Sequence, residues 1–469
     1  MSKYTVLPFN FRYIESLDKV LLTTLTGSFT FIDNSSVLHS IIRNDIDTIE
    51  IPIVDDLLSN NILSETNELD SKINIMTSNY ASTINSTIYD GPLLVLVVPT
   101  LRCDHDCGYC QVSRVSSEAI GYDYEVESIT KTIQYLKKLK VSSIKIEFQG
   151  GEPLLNKDFI REFYDQAIHE LGSKTSFVIC SAFGPLDFDF IQWVKDKNIT
   201  FSTSVDGAED IHTSNRSSKY FNSYTQTEQG IRLIQSELGK DKVNALATVT
   251  KKSLVNPRSI IDTYIALGFD SIFLRPLSPL GFAYKNQGIE YTPEEYMSFY
   301  RESMEYIFSI NKTKYFREET AVIYLQKMLF TTSSGYVDLQ SPSAILLNSL
   351  VINYDGNIFG SDESRMLWEM TKNRELIFDN IHNTENKIIS PIEINLLSDT
   401  FISSTPGCDE CAYQPYCGAD PLYHLATQGD HVGNKAISDY CKLQRYLFDY
   451  FFELLNDTSR KEILLKWLK

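Results

Sequence analysis

Eight cysteines stand at positions 103, 107, 110, 180, 408, 411, 417 and 441, and seven of them fall into two tight groups. In a chain of 469 residues this is too sparse for a disulfide scaffold. The grouping favours metal or iron–sulfur ligation in a reducing compartment. The first group, PTLRCDHDCGYC, puts Cys103, Cys107 and Cys110 within one short segment. Three thiolates can hold three irons of a cubane cluster and leave the fourth iron open to the amino and carboxylate groups of a substrate. An electron delivered through that iron can break the C–S bond of a bound sulfonium. Zinc is the competing chemistry; it usually takes four ligands, and His105 would have to be the fourth. The second group, Cys408-x2-Cys411-x5-Cys417-x23-Cys441, supplies four thiolates, enough to saturate a zinc ion or a cubane. Cys180, alone, reads as a buried apolar thiol.

The elements around the first group are short apolar runs alternating with helical stretches between 92 and about 285. The runs are LLVLVVPTL (93–101), SIKIEFQG (143–150), SFVICSAF (176–183), ITFSTSV (199–205), VNALATVT (243–250) and SIFLRPL (271–277). Between them, segments such as KDFIREFYDQAIHELG carry apolar residues at i, i+3 and i+4. Continuous apolar strands with interleaved helices predict a parallel α/β sheet or barrel, whose site lies at the C-terminal strand ends. Cys103 follows the first of those ends directly.

The flanks divide differently. Residues 1–65 read as a winged-helix-like module, with two strands in VLLTTLTGSFTFI joined at Thr26-Gly27, a helix capped by Asn34-Ser35-Ser36 and a second helix in IPIVDDLLSNN. Residues 66–91 read as a linker helix, 92–285 as the barrel, 286–335 as bridging helices and 336–469 as an irregular domain with the second cysteine group and a final helix. A turn is expected at Tyr354-Asp355-Gly356-Asn357.

The motifs combine into a resemblance. The CxxxCxφC pattern with Tyr109 before the last cysteine, the Gly150-Gly151-Glu152-Pro153 string after the second run, and Ser204-Val205-Asp206-Gly207 after the fourth resemble the radical S-adenosylmethionine superfamily. The resemblance implies a partial (β/α)6 radical SAM barrel with a [4Fe–4S] cluster on Cys103, Cys107 and Cys110 and S-adenosylmethionine bound beside it. Tyr109, Gly150, Gly151, Glu152, Pro153, Ser204 and Asp206 are the implied cofactor contacts. The family's Thr-Asn-Gly turn after the third strand is replaced here by Cys180-Ser181-Ala182-Phe183-Gly184, so no role carries over to that turn.

The second cysteine group resembles the C-terminal SPASM domain of radical peptide maturases. It matches the ligands of one auxiliary [4Fe–4S] cluster; the other cluster's cysteines are replaced by Ser361 and Pro421, among others. The resemblance implies a catalytic base at Asp362, against the alternative of a solvated loop carboxylate in Ser-Asp-Glu-Ser; Asp420 and His424 are further polar candidates near that cluster, Asp420 for catalysis and His424 as a structural histidine. FLRPLSPLGFA (273–283), CGADPLYHLATQGD (417–430) and the LPFNFR opening resemble the maturases of the His-Xaa-Ser peptide system. That implies a ribosomally made precursor peptide as substrate, bound in part by the N-terminal module. It also implies an external flavodoxin- or ferredoxin-type electron donor and a second radical maturase as partners. The alternatives are side-chain oxidation of a protein, as in sulfatase maturases, and a zinc-stabilised peptide-binding scaffold. Arg275 reads as a substrate-positioning group or a fold-stabilising ion pair.

Composition limits the partners. A formal charge of −18 repels phosphate backbones and argues against nucleic acid. No apolar stretch approaches the roughly 20 residues that span a bilayer, and no basic segment precedes an apolar run at the N-terminus. A cytoplasmic protein without a membrane partner is expected.

Overall fold

The computed structural model describes residues 3–33, 35–286, 288–330, 336–383 and 391–469. The six expected runs form strands β1 (Leu93–Val97), β2 (Ile144–Phe148), β3 (Thr175–Cys180), β4 (Ile199–Ser204), β5 (Val243–Thr248) and β6 (Leu274–Arg275). They lie side by side in chain order and pair in parallel throughout. Helices α1 (Ile129–Lys138), α2 (Lys157–Leu171), α3 (Phe188–Val194), α4 (Ser223–Glu237) and α5 (Pro257–Ala266) return the chain between them. The reason is visible in burial: Val95, Ile146, Phe148, Ile179, Phe201 and Leu274 are covered on the helical side, by residues such as Ile133, Phe163, Ile191 and Ile261. The positions between them, such as Lys145, Glu147, Thr200 and Ser202, are only half-buried, so the strands cover one face more completely than the other.

The sixth run is broken. Ser271–Ile272 pairs with Arg317–Glu318 rather than continuing into β6. The sheet also extends past β1. Ser349–Ile352 adds a seventh parallel strand, and Asn357–Phe359 and Asp379–Asn380 continue it antiparallel. The region from 336 onward is therefore less irregular than expected. Only three apolar residues, Leu350, Val351 and Ile352, stand in SLVI, too few to show a period, and all four residues are buried. The expected turn at 354–357 closes this hairpin, with Gly356 at φ +80°.

The N-terminal segment has three antiparallel strands, Phe9–Ile14, Lys19–Thr24 and Phe29–Ile32, rather than the expected two. Helices Ser35–Arg43 and Ile51–Ser59 pack on them around Leu22, Ile41, Leu57 and Leu63. Asn34 of the expected cap lies outside the described residues. Leu69–Tyr89 is one long helix in the 66–91 region, and Pro293–Ile310 and Glu319–Leu329 follow the barrel; the stretch expected to end at 335 runs into 331–335, outside the described residues. Two helices, Asp439–Asn456 and Thr458–Trp467, end the chain.

The N-terminal sheet leans on that terminal helix. Phe29 meets Phe452 edge-on at 5.0 Å, and Arg12 forms a two-pronged pair with Asp449 at 2.9 and 2.7 Å. Asn10 donates to the carbonyls of Asp409 and Cys411 at 3.1 Å each, and Thr23 to that of Ala412 at 2.8 Å. The sheet thus grips the loop that carries the second cysteine group. No helix among the described residues is long and apolar enough to cross a membrane.

Candidate radical cofactor site

Cys103, Cys107 and Cys110 lie on the loop after β1. Four parts of the chain hold that loop. His105–Cys107 pairs antiparallel with Arg216–Ser218, so Cys107 sits opposite Arg216. The β2 end supports it from beneath: Gly151 N donates to Thr100 O at 2.9 Å and Glu152 N to Arg102 O at 2.7 Å. Gly150 has φ +131°, and a Cβ on Gly151 would lie 2.2 Å from Arg102 O. Only glycine permits this approach; the close contact is with the cysteine loop's own backbone. After β6, Gly281 packs on the carbonyls of Cys110 and Gln111, and Phe282 N donates to Cys110 O at 2.7 Å. From the C-terminal region, the fully buried Arg365 reaches Val112 O at 3.4 Å.

Burial dominates the electrostatics of the three thiols. It pushes Cys107 up to about 12, with Arg216 opposing and Cys110 adding repulsion. Cys103 is raised by burial, then by Glu152 and Cys107, and Cys110 is raised by burial against the pull of Arg365 and Arg216. Such thiols resist ionisation until a cationic centre lies among them, so the donor set suits a metal cluster. The zinc alternative fits less well. Ligand atoms of Cys103, Asp104 and His105 do lie within 4.8 Å of one another. However, His105 already uses both ring nitrogens, Nδ1 on Asp104 at 2.7 Å and Nε2 on Ser223 Oγ at 3.1 Å.

The expected cofactor contacts are gathered at these strand ends, with partners of their own. Glu152 is 1% exposed and accepts from Leu154 N (3.0 Å), Ser181 Oγ (2.7 Å) and Ala182 N (2.9 Å). Burial first, then Asp104, lifts its carboxyl to about 7. Of about four carboxylate lone-pair positions, roughly one is left for a ligand. Pro153 starts the short helix that Glu152 caps. Asp206 accepts from the Tyr109 hydroxyl at 2.7 Å, and Arg216 Nη1 donates to the same hydroxyl at 2.7 Å. Ser204 is half-buried at the end of β4.

Sequence reading missed a buried polar chain beneath the loop. Ser223 Oγ bridges His105 Nε2 and His212 Nε2, at 3.1 and 3.0 Å, and His212 Nδ1 accepts from Asp206 N at 3.4 Å. Ser181 was also without a role; it ties the β3 turn to Glu152. Cys180 is half-buried, and burial raises its thiol well above the usual range.

The second cysteine group lies on the segment that Asn10 and Thr23 of the N-terminal sheet hold. Cys408 and Cys411 share a turn, with Cys411 N on Cys408 O at 3.1 Å. Cys441 is in the first turn of the 439–456 helix, its N–H capped by Ser438 Oγ at 3.2 Å. Burial raises Cys417 most, followed by repulsion from Cys411, Cys441 and Cys408. Four mutually repelling thiols again suit a cationic centre. Ser361 and Pro421 stand at helix starts: Ser361 caps Asp362–Thr371 through Ser364 N at 3.2 Å, and Pro421 begins Pro421–Gln428 behind the Asp420 cap.

Asp362 and Asp420 differ in freedom. Asp362 Oδ1 takes both Arg365 Nε (3.0 Å) and Nη2 (2.9 Å), and Oδ2 takes Gln149 Nε2 (3.2 Å). Asp420 Oδ1 caps Tyr423 N at 2.8 Å, and the residue lines a cavity of about 430 Å³. Burial raises Asp420 to about 6. His424 is 2% exposed and bonds Ser438 at 2.9 Å, with burial lowering it to about 4, in keeping with a structural role. Arg275 also lines the cavity and pairs with Asp338 at 3.5 Å.

Comparison with known proteins agrees with this layout. The profile of the Radical SAM superfamily matches residues 97–256. A protein of Methanothermobacter thermautotrophicus named only as uncharacterized is 23% identical over 190 residues, spanning 39% of this chain and 68% of the relative. Uncharacterized protein MJ0907 of Methanocaldococcus jannaschii is 26% identical over 193 residues, spanning 40% and 64%. Among solved structures, native anSMEcpe with bound AdoMet superposes with TM-score 0.65 at 16% identity, covering 78% of this chain and 99% of that one. Streptococcus suis SuiB bound to precursor peptide SuiA superposes with TM-score 0.51 at 15% identity, covering 92% and 98%. At such identities the likeness is one of fold. The sequence profile and the six parallel strands agree: the chain carries a radical SAM domain over residues 97–256.

Proposed function

We propose that the chain cleaves S-adenosylmethionine reductively and uses the radical to modify a ribosomally made precursor peptide of the His-Xaa-Ser type, by cross-linking. The observation that carries this reading is the loop of Cys103, Cys107 and Cys110, held at the β1 end by the Gly150-Gly151 approach within a radical SAM domain. In this reading those cysteines hold one [4Fe–4S] cluster and Cys408, Cys411, Cys417 and Cys441 hold an auxiliary one. The first cluster, when bound, supplies the electron that splits the sulfonium of S-adenosylmethionine and yields a 5′-deoxyadenosyl radical.

The chain's own residues then bind and orient. Glu152 offers its remaining lone pair to the cofactor's ammonium, with Gly150, Gly151 and Pro153 shaping that side. Ser204 and the Tyr109–Asp206–Arg216 network flank the opposite side. Asp420 has one carboxylate oxygen unclaimed by its cap and faces the cavity, which suits it to accept a substrate proton. Asp362 serves in this reading as a positioning group, since Arg365 and Gln149 occupy it. The peptide is supported by the acidic surface of the chain and by SuiB, which was solved bound to its precursor peptide SuiA. A flavodoxin- or ferredoxin-type donor and a second maturase complete the proposed system.

The test is anaerobic reconstitution with dithionite and S-adenosylmethionine. The expected product is 5′-deoxyadenosine, with about eight irons per chain for two cubanes. No 5′-deoxyadenosine above a Cys103→Ala control would overturn the reading, and zinc without iron would favour the scaffold alternative. Loss of two hydrogens from the target without cyclisation would favour sulfatase-maturase-like oxidation.

A further inference from the structure

The cavity of about 430 Å³ has a wall chemistry that the cofactor reading does not use. One wall is the segment after β6, whose end, at Gly281 and Phe282, touches the backbone of Cys110. The facing wall includes Asp420 and Tyr440, which follow Cys417 and precede Cys441 in the chain. The cavity therefore lies between the two cysteine groups, at the size of a small-ligand pocket.

Its charge is unbalanced. Arg275 is the basic side chain lining it, and Arg275 is already paired with Asp338. Glu363 has no ion-pair partner among the described residues, and after burial its carboxyl is raised by repulsion from Asp338, Asp362 and Asp420, to about 8. Two further observations point to an occupant. The Ser343 hydroxyl, on a residue only 5% exposed in the cavity wall, has no hydrogen-bond partner. Tyr324 and Tyr336 add aromatic surface to the same wall. Arg275 also attracts Glu363, but Glu290, Asp338, Glu363, Asp420 and Asp439 all line the cavity, so carboxylates outnumber guanidinium there. That excess, an unused hydroxyl and aromatic rings in a concave site suit a desolvated cation.

We infer that this cavity receives a basic side chain of the peptide, a lysine, arginine or protonated histidine, and seats its charge against Glu363 between the two cysteine groups. The inference rests on the peptide-modification reading and narrows it. A cation at Glu363 relieves the repulsion among the surrounding carboxylates and holds the adjoining peptide carbons in front of the first cysteine loop. Asp420 remains beside it to take a proton.

The test uses anaerobically reconstituted full-length protein with S-adenosylmethionine present. It is titrated calorimetrically with three probes: acetyl-Gly-Lys-Gly-amide, acetyl-Gly-norleucine-Gly-amide and acetyl-Gly-Glu-Gly-amide. Norleucine matches the lysine stem without its charge. The expected order is lysine about tenfold tighter than norleucine, with glutamate weakest. In Glu363→Gln the lysine advantage should fall below about threefold. Equal binding of lysine and norleucine by the wild type, or tighter binding of the glutamate probe, overturns the inference without recourse to any variant. So does an unchanged lysine advantage in a folded Glu363→Gln. The two readings fail separately: lysine preference without 5′-deoxyadenosine would sink the radical function and leave the cation pocket standing, and the converse would sink only the pocket.

Discussion

Arg365 is the severest test of how the C-terminal region braces the cysteine loop. Its side chain is 0% exposed, and it spends its donors on Asp362 and on Val112 O, two residues past Cys110. Arg365→Met keeps much of the volume and removes the charge. Asp362 is then left with Gln149 alone, at 3.2 Å, in a site where its side chain is 16% exposed. Breaking a buried pair by removing one partner costs about 3–5 kcal/mol. The residual exposure of Asp362 places the expectation at the lower end, at about 3 kcal/mol. Arg365→Met combined with Asp362→Asn removes the stranded charge and keeps an acceptor for Gln149, so most of that loss should return. Urea unfolding of the four proteins, wild type, two singles and the double, measures the coupling directly. Hydrogen exchange over 110–115 should rise in the single variant, because a donor to that loop is gone. A loss below about 1 kcal/mol in Arg365→Met, or a double variant no more stable than that single, would refute the account.

Three further outcomes follow from other contacts. Glu318 is fully buried and accepts from Tyr300 (2.5 Å), Ala321 N (2.7 Å) and Leu274 N (3.2 Å), yet burial lifts its carboxyl from 4.5 to about 7. A raised carboxyl stabilises the fold below pH 4.5, and that contribution is lost as pH climbs through about 7. The stability difference between wild type and Glu318→Gln should therefore shrink by roughly 3 kcal/mol from pH 4.5 to 8 in paired urea titrations, and a flat or rising difference contradicts it. Gly151→Ala places a methyl 2.2 Å from Arg102 O, so the cysteine loop must shift; iron retained per chain should fall by up to about four, and full iron content would remove the claim. Arg12→Ala breaks the two-pronged pair with Asp449, and limited proteolysis should cut the N-terminal segment faster, at a cost of about 1–2 kcal/mol; unchanged cleavage would count against the grip described for that sheet.

Much of the barrel was legible because its strands obey one physical rule. Each strand buries one face: along β2, β3 and β4 a buried residue recurs at every second position, with half-buried residues such as Lys145, Glu147 and Ser202 between, and that repeat bounded by turns is what the sequence shows. The cysteine groups were legible because thiol spacing is local. The seventh strand was not, since three apolar residues between polar turns have the same pattern as a buried loop. Serine and histidine contacts were hidden for another reason. Ser223 and His105 are 118 positions apart, and neither residue type carries a periodic signal, so it is the pairing of Arg216–Ser218 with His105–Cys107, just before α4 begins, that brings them together.

Asp362 shows how a local reading can mislead even when the needed residue is close by. Placed beside Ser361, in the string Ser-Asp-Glu-Ser, it reads as an acid near the chemistry. Yet Arg365 stands three residues on, on the same face of the same helix, where a carboxylate at i meets a cation at i+3. In sequence that pair looks like ordinary solvent-facing helix charge. The structure buries the guanidinium completely, and a buried guanidinium must keep its carboxylate. Glu363 and Asp420, both on the cavity wall, have no such ion pair among the described residues and keep spare capacity. One residue's burial thus moves the search for a proton acceptor from the cysteine loop to the cavity.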